Sequence, residues 1–114
     1  MRLLDRLFSV LLILGGIGHT FGVISYYRGK PDALFWSLTA SALILLLGAI
    51  NLLRTWRPGD HALALIAALA SASYFFITLG FGRLIGNFAD PRVLIFGAIA
   101  LGLTGFGLKG AMRR

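Results

Sequence analysis

Residues 7–26 read LFSVLLILGGIGHTFGVISY, a stretch that contains no Asp, Glu, Lys or Arg. A helix needs about 20 predominantly apolar residues to cross the hydrocarbon core of a bilayer. The stretch therefore predicts a membrane-spanning helix. Arg2 and Arg6 precede it, but no small-residue cleavage pattern follows it, so we interpret it as a retained helix and not as a signal peptide.

Three further stretches of the same character follow, at about 33–53, 62–82 and 93–108. Of the 114 residues, 58% are apolar and 13% are charged, whereas a soluble domain is roughly half apolar and a quarter charged. We therefore predict an all-α fold with a single transmembrane domain over residues 1–114. It is an integral membrane four-helix bundle with up-down-up-down topology and short loops. The fourth stretch is short for a span, and a re-entrant segment is the alternative.

The acidic residues of the chain lie where the apolar stretches start; they are Asp5, Asp32, Asp60 and Asp90. An Asp at a helix start accepts hydrogen bonds from free backbone N–H groups and suits the positive end of the helix dipole. Pro31 and Pro91 stand beside two of them, where a helix tolerates proline. We predict that all four carboxylates cap helices and that none lies inside the membrane.

Lys and Arg are distributed unequally between the two ends of the predicted bundle. Seven lie on the side of the termini and the middle loop, and four lie on the other side. Because cytoplasmic loops carry an excess of Lys and Arg, we predict that both termini lie in the cytoplasm. The compact loops and the absence of a targeting segment indicate a bacterial inner membrane. The bias is modest and leaves dual insertion open. The net charge of +7 is dispersed, so we expect contact with anionic lipid headgroups and not with nucleic acid.

Each predicted helix carries one stripe of small or polar residues, while its other faces are mostly Leu, Ile, Val and Phe. Membrane helices approach one another closely at such small residues. In the first helix, Gly18 and Gly22 form a small-x-x-x-small pair. We predict that helices pack at five glycines, which are Gly15, Gly18, Gly22, Gly48 and Gly102.

Among His, Asp, Glu, Lys and Arg, one residue falls inside a predicted span, and it is His19. Counting at 1.5 Å per residue places it at a depth similar to that of Ser41, Tyr74 and Thr78. We predict a polar cluster of these four residues in one half of the membrane. An ionisable residue in the membrane is a candidate for function, while a neutral His bonded to hydroxyl groups also serves simply to hold helices together.

The chain contains no catalytic, metal or cofactor pattern that we recognise. It has no Cys and two widely separated His residues. Haem commonly needs two axial ligands at the same depth, and a metal hydrolase needs about three clustered ligands. We predict no catalytic residue, no metal site and no cofactor, and we favour a non-enzymatic role while enzymatic activity stays open.

In size and in its four-span plan, the chain resembles the small multidrug transporters, which work through a membrane-embedded glutamate in the first helix. This sequence contains no Glu, and residues 15–19, GGIGH, occupy the corresponding region. Residues 15–22 also resemble the first helix of small four-helix bacterial membrane proteins of the DoxX-like type. The likeness covers general layout alone and implies no functional residue.

These observations favour a structural or accessory membrane protein that packs against itself or against a larger membrane complex. Its short loops leave no soluble module to act outside the bilayer. The alternative is a bundle that binds or transports a small molecule, a quinone or protons, with His19 at an intramembrane polar pocket.

Overall fold

The computed structural model describes residues 2–113, which form four helices joined by three short connections. The helices are α1 (Arg2–Tyr26), α2 (Pro31–Trp56), α3 (His61–Ile85) and α4 (Pro91–Met112). Each helix is long and apolar enough to cross a membrane. The predicted all-α four-helix fold is therefore confirmed, and the chain is a multi-pass membrane protein.

All four helices extend beyond the predicted apolar stretches. Apolar composition marks the part of a helix that suits hydrocarbon, whereas backbone hydrogen bonding continues through the polar residues at each end. The difference matters most for α4, which has 22 residues and a length of about 33 Å at the helical rise. The short fourth stretch that suggested a re-entrant segment is thus the uncharged middle of a continuous helix.

Two of the four predicted Asp caps are confirmed. Asp60 precedes α3 and accepts a hydrogen bond from the backbone N–H of Leu63 at 3.0 Å. Asp90 precedes α4 and accepts one from the backbone N–H of Arg92 at 2.9 Å. The Arg92 side chain also binds Asp90 at 3.0 Å, and this hydrogen bond lowers the pKa of the Asp90 carboxyl.

The other two predicted caps are wrong. The N-cap position of α2 is occupied by Lys30, which makes no side-chain cap, and Asp32 lies in the first turn. There it suits the helix dipole without capping the chain. Asp5 lies inside α1, because this helix already begins at Arg2, and its side chain is buried.

The helices are arranged as two hairpins. α1 packs along α2 and α3 packs along α4, and the hairpins meet where α1 contacts α4 and α2 contacts α3. α1 and α3 are diagonally opposite, and their described backbones do not approach each other. All four helices contribute to the apolar core, which contains Leu12, Ile44, Leu47, Tyr74, Ile99, Ala100 and Leu103. We call the end where α1 and α3 begin the terminal end, and the other the opposite end.

Large apolar side chains cover the outside of the bundle. Leu84 is 85% exposed, Leu3 82% and Phe21 70%. Exposed Leu residues occur on every helix, together with exposed Ile or Phe. Soluble monomers rarely expose apolar surface this extensive. Lipid is the solvent that suits it, as expected for a protein embedded in a membrane.

Three of the five glycines predicted to pack lie where helices meet. A Cβ on Gly15 would meet Phe96, one on Gly102 would meet Phe8, and one on Gly48 would meet Ile13. Gly18 and Gly22 have no such neighbour within 4 Å, which corrects the prediction that they pack within the bundle. The buried line of α1 runs through Asp5, Ser9, Leu12, Gly16 and Val23, so the buried face is rotated away from these two glycines.

Candidate functional site

A buried ion pair lies at the terminal end, between the first turns of α1 and the last turn of α2. Arg54 Nη1 donates to Asp5 Oδ2 at 2.8 Å, and Arg54 Nη2 donates to Asp5 Oδ1 at 2.6 Å. Asp5 is 9% exposed and Arg54 is 6% exposed. Two parallel charge-assisted hydrogen bonds are the strong form of this contact. Arg54 is therefore not the free loop cation that its place in the sequence suggests.

The side-chain amide of Asn51 connects the Asp5–Arg54 ion pair to α3. Arg54 Nη2 donates to Asn51 Oδ1 at 3.0 Å, and Asn51 Nδ2 donates to Ser71 Oγ at 3.0 Å and to the Leu47 carbonyl at 2.9 Å. Asn51 and Ser71 are both fully buried. Asp5, Arg54, Asn51 and Ser71, which we call the ion-pair network, thus join α1, α2 and α3.

Local sequence explains why these groups meet. Asn51 and Arg54 are three residues apart, so they lie on one face of α2. α1 and α2 are antiparallel, which brings the start of α1 beside the end of α2. The next residues along each helix repeat the pairing, since Arg6 Nε donates to Thr55 Oγ1 at 3.2 Å. The start of α1 is therefore held to the end of α2 by two adjacent polar contacts.

A second polar contact lies further along the same hairpin. His19 Nδ1 and Ser41 Oγ are 2.7 Å apart, and the Ser41 hydroxyl also lies 3.3 Å from the Ser37 carbonyl. His19 is half-buried, and Nε2 forms no hydrogen bond among the described residues. Within residues 2–113, every buried side-chain nitrogen or oxygen has a hydrogen-bond partner. Nε2 has no partner there, so it is not buried and lies at the accessible surface.

Tyr74 and Thr78, the other members of the predicted cluster, are both buried in α3. Thr78 Oγ1 donates to the Tyr74 carbonyl at 2.9 Å, and Tyr74 packs in the apolar core. No hydrogen bond joins either residue to His19. The reason is the arrangement of the bundle, which places α3 diagonally opposite α1. The structure thus joins His19 to Ser41 and leaves the α3 pair apart.

Sequence reasoning missed the ion-pair network. It predicted that Asp5 caps the first helix, and it counted Arg54 only as one of the seven cations on the side of the termini and the middle loop. The available signal was the i, i+3 spacing of Asn51 and Arg54, which puts an amide and a guanidinium on one helix face. The partner charge on α1 becomes visible only once the α1–α2 hairpin is built.

A half-open cavity of about 240 Å³ adjoins the ion-pair network. Asp5, Arg54 and Thr55 are its buried lining residues, and its exposed lining residues include Arg2, Lys109 and Arg113. Elsewhere, no three His, Cys, Asp or Glu side chains within residues 2–113 are grouped to hold a metal ion. The chemistry that this geometry offers is therefore ion pairing and hydrogen bonding.

Comparisons with protein-family models, with curated proteins and with solved structures gave no match for this chain. Its function is therefore inferred from its own residues.

Proposed function

We propose that the protein is a non-enzymatic structural or accessory component of the membrane, which acts through helix contacts with itself or with a larger membrane complex. The observation that supports this proposal best is how the interior uses its polar groups. The ion-pair network ties three helices together, and every buried side-chain nitrogen or oxygen in the described chain has a hydrogen-bond partner. Such an interior stabilises one arrangement of the helices, and within residues 2–113 it leaves no buried polar side-chain atom free to bind a substrate.

The outer face of α1 supplies the surface for such contacts. Gly18 and Gly22 are exposed and have nothing within 4 Å of a Cβ position. They are four residues apart on one side of the helix, which is the spacing that lets a second membrane helix approach closely. We infer that another helix packs here, from a second copy of this chain or from a partner complex.

The test is the mass of the particle extracted from the native membrane in mild detergent. We expect the wild-type chain to run as an assembly heavier than its own 12.3 kDa, and Gly18→Leu with Gly22→Leu to release the single chain. Gly80→Leu with Gly105→Leu is the matched control, because these glycines are also exposed and without neighbours. A wild-type chain that extracts alone at 12.3 kDa would contradict the proposal.

We also propose that the chain resides in a bacterial inner membrane with both termini in the cytoplasm. The support is the Lys and Arg count of seven on the terminal side against four on the other. Arg54 and Arg57 on the terminal side pair with carboxylates, as does Arg92 on the other side. Leaving out these paired cations, five still outnumber three. Topology of membrane proteins follows this bias.

A second candidate function is binding or transport of a small molecule, a quinone or protons at His19. One observation favours it: Nδ1 is held by Ser41 at 2.7 Å while Nε2 is accessible and without a partner among residues 2–113. A His oriented in this way is suited to exchange a proton or to bind a ligand through its free nitrogen.

Substitution of His19 separates the two candidates. In proteoliposomes, a transport role predicts that His19→Ala abolishes proton or quinone-linked flux while helicity by circular dichroism is retained. The accessory role predicts that His19→Asn and His19→Gln keep the mass of the native assembly, because either amide can replace the hydrogen bond to Ser41.

A further inference from the structure

The half-open cavity at the terminal end carries an excess of positive charge. Its lining contains four cations, Arg2, Arg54, Lys109 and Arg113, and one carboxylate, that of Asp5. Asp5 and Arg54 neutralise each other. The remaining three cations lie on α1, on α4 and just beyond the end of α4, so residues distant in sequence converge on one space.

These three cations have no carboxylate partner within residues 2–113. Asp5 binds Arg54, Asp60 is 3.3 Å from Arg57, and Asp90 binds Arg92. The remaining carboxylate, Asp32, is in the first turn of α2 at the opposite end. No carboxylate within residues 2–113 therefore balances the charge of the cavity, which favours an anionic molecule as its ligand.

The position of the cavity indicates what that molecule is. It lies where α1 begins and α4 ends, which is the level of lipid headgroups for helices that cross a membrane. The cavity is also lined by Phe106, whose ring can contact the acyl chain of a lipid. Clusters of Lys and Arg at this level attract anionic lipids, and Arg favours phosphate because its guanidinium matches the geometry of two phosphate oxygens.

We propose that this cavity is a binding site for the phosphate ester of an anionic lipid headgroup. The phosphate binds Arg2, Lys109 and Arg113, and the Asp5–Arg54 pair forms the inner wall. A zwitterionic headgroup is disfavoured, because its ammonium group would be brought close to the same three cations. This goes beyond general attraction of a basic protein to a negative membrane, since it assigns one site at one end.

The experiment is native mass spectrometry of the full chain released from vesicles of equal phosphatidylglycerol and phosphatidylcholine. We expect phosphatidylglycerol to be retained preferentially. Lys109→Gln with Arg113→Gln should lower its retention more than about tenfold, because each basic residue near a membrane surface contributes about fivefold. Both side chains are exposed, so the fold should persist, which circular dichroism checks.

The matched control removes two cations at the opposite end. Arg28→Gln with Lys30→Gln makes the same change in net charge at exposed positions, and we expect retention to change by less than about twofold, because these charges lie more than a Debye length away. An equal loss in both double variants would show diffuse attraction and would overturn the site. Unchanged retention in Lys109→Gln with Arg113→Gln would overturn it as well.

A further arm distinguishes a lipid from free phosphate. Excess inorganic phosphate is added before release from the vesicles, and a lipid-binding site predicts that phosphatidylglycerol stays bound. If inorganic phosphate displaces the lipid, and binds the chain from phosphatidylcholine vesicles with the same dependence on Lys109 and Arg113, the ligand is free phosphate and the lipid assignment is overturned.

Discussion

The Asp5 carboxylate and the Arg54 guanidinium depend on each other because both are almost completely removed from solvent. Moving an isolated ion into such surroundings costs several kcal/mol, and a partner with two good hydrogen bonds offsets that cost. Asn51 accepts a further hydrogen bond from the guanidinium and donates one to Ser71. At the residue scale, removing either member of the pair should therefore destabilise the terminal end, because the other charge stays buried without a partner.

We expect Asp5→Ala to lower the free energy of unfolding by about 3–5 kcal/mol, because it leaves the buried Arg54 charge without a partner. Asp5→Leu combined with Arg54→Met removes both charges and should cost less than the single change. Unfolding in mixed micelles, followed by circular dichroism, measures each variant.

The control for this prediction is an exposed ion pair. Arg57 and Asp60 are 3.3 Å apart, and the Arg57 side chain is 59% exposed. Arg57→Ala should cost less than about 1 kcal/mol, since water screens surface pairs. If Asp5→Ala costs no more than Arg57→Ala, then the buried pair does not hold α1 to α2.

Within the α1–α2 hairpin, glycine decides how close the two helices lie. A Cβ on Gly48 would lie 2.6 Å from the Ile13 side chain, 3.1 Å from the Ile13 nitrogen and 3.2 Å from the Ser9 carbonyl oxygen. Two of these three atoms belong to the α1 backbone, which cannot rotate away as a side chain can. Gly107 has the same role between α4 and α3, where a Cβ would meet the Ala68 backbone at 3.0 Å.

Gly48→Ala should therefore destabilise the fold by about 1–3 kcal/mol through overpacking. Gly80→Ala is the matched variant in α3, because nothing lies within 4 Å of its Cβ position. It should leave the fold unchanged or slightly more stable, as Ala favours a helix over Gly by up to about 1 kcal/mol. The unfolding assay used for Asp5 measures both, and equal effects would show that helix contact at Gly48 is not limiting.

At the scale of the whole molecule, the two ends of the bundle differ in their charges and contacts. The terminal end holds the ion-pair network and the cationic cavity. The opposite end holds two short connections and fewer cations. A bundle with such unlike ends is expected to insert in one preferred orientation, with the more cationic end in the cytoplasm.

Single cysteines can test this orientation directly, because the chain has no cysteine of its own. Gly59→Cys places a thiol in the exposed α2–α3 connection, and Ala89→Cys places one in the exposed α3–α4 connection. In intact cells with a permeabilised outer membrane, a membrane-impermeant maleimide should label Ala89→Cys. Gly59→Cys should react only after the inner membrane is opened. The reverse pattern would invert the topology, and equal labelling of both would indicate dual insertion.

The four helices follow from the sequence alone, because an apolar run of sufficient length has one stable form in lipid, with its backbone hydrogen bonds closed inside a helix. The caps at Asp60 and Asp90 follow for a similarly local reason, since a cap involves neighbouring residues only. The sequence alone also shows that His19 is the one residue among His, Asp, Glu, Lys and Arg inside a predicted apolar stretch.

The tertiary structure alone decided which residues on different helices meet. Asp5 was predicted to be a cap, but in the folded chain it binds Arg54, which is 49 residues away. The buried face of α1 does not include Gly18 and Gly22. Tyr74 and Thr78 lie apart from His19, because α1 and α3 are diagonally opposite in the bundle. The physical reason is that helical periodicity defines a stripe on each helix, whereas the rotation of each helix about its axis is set by packing against its neighbours.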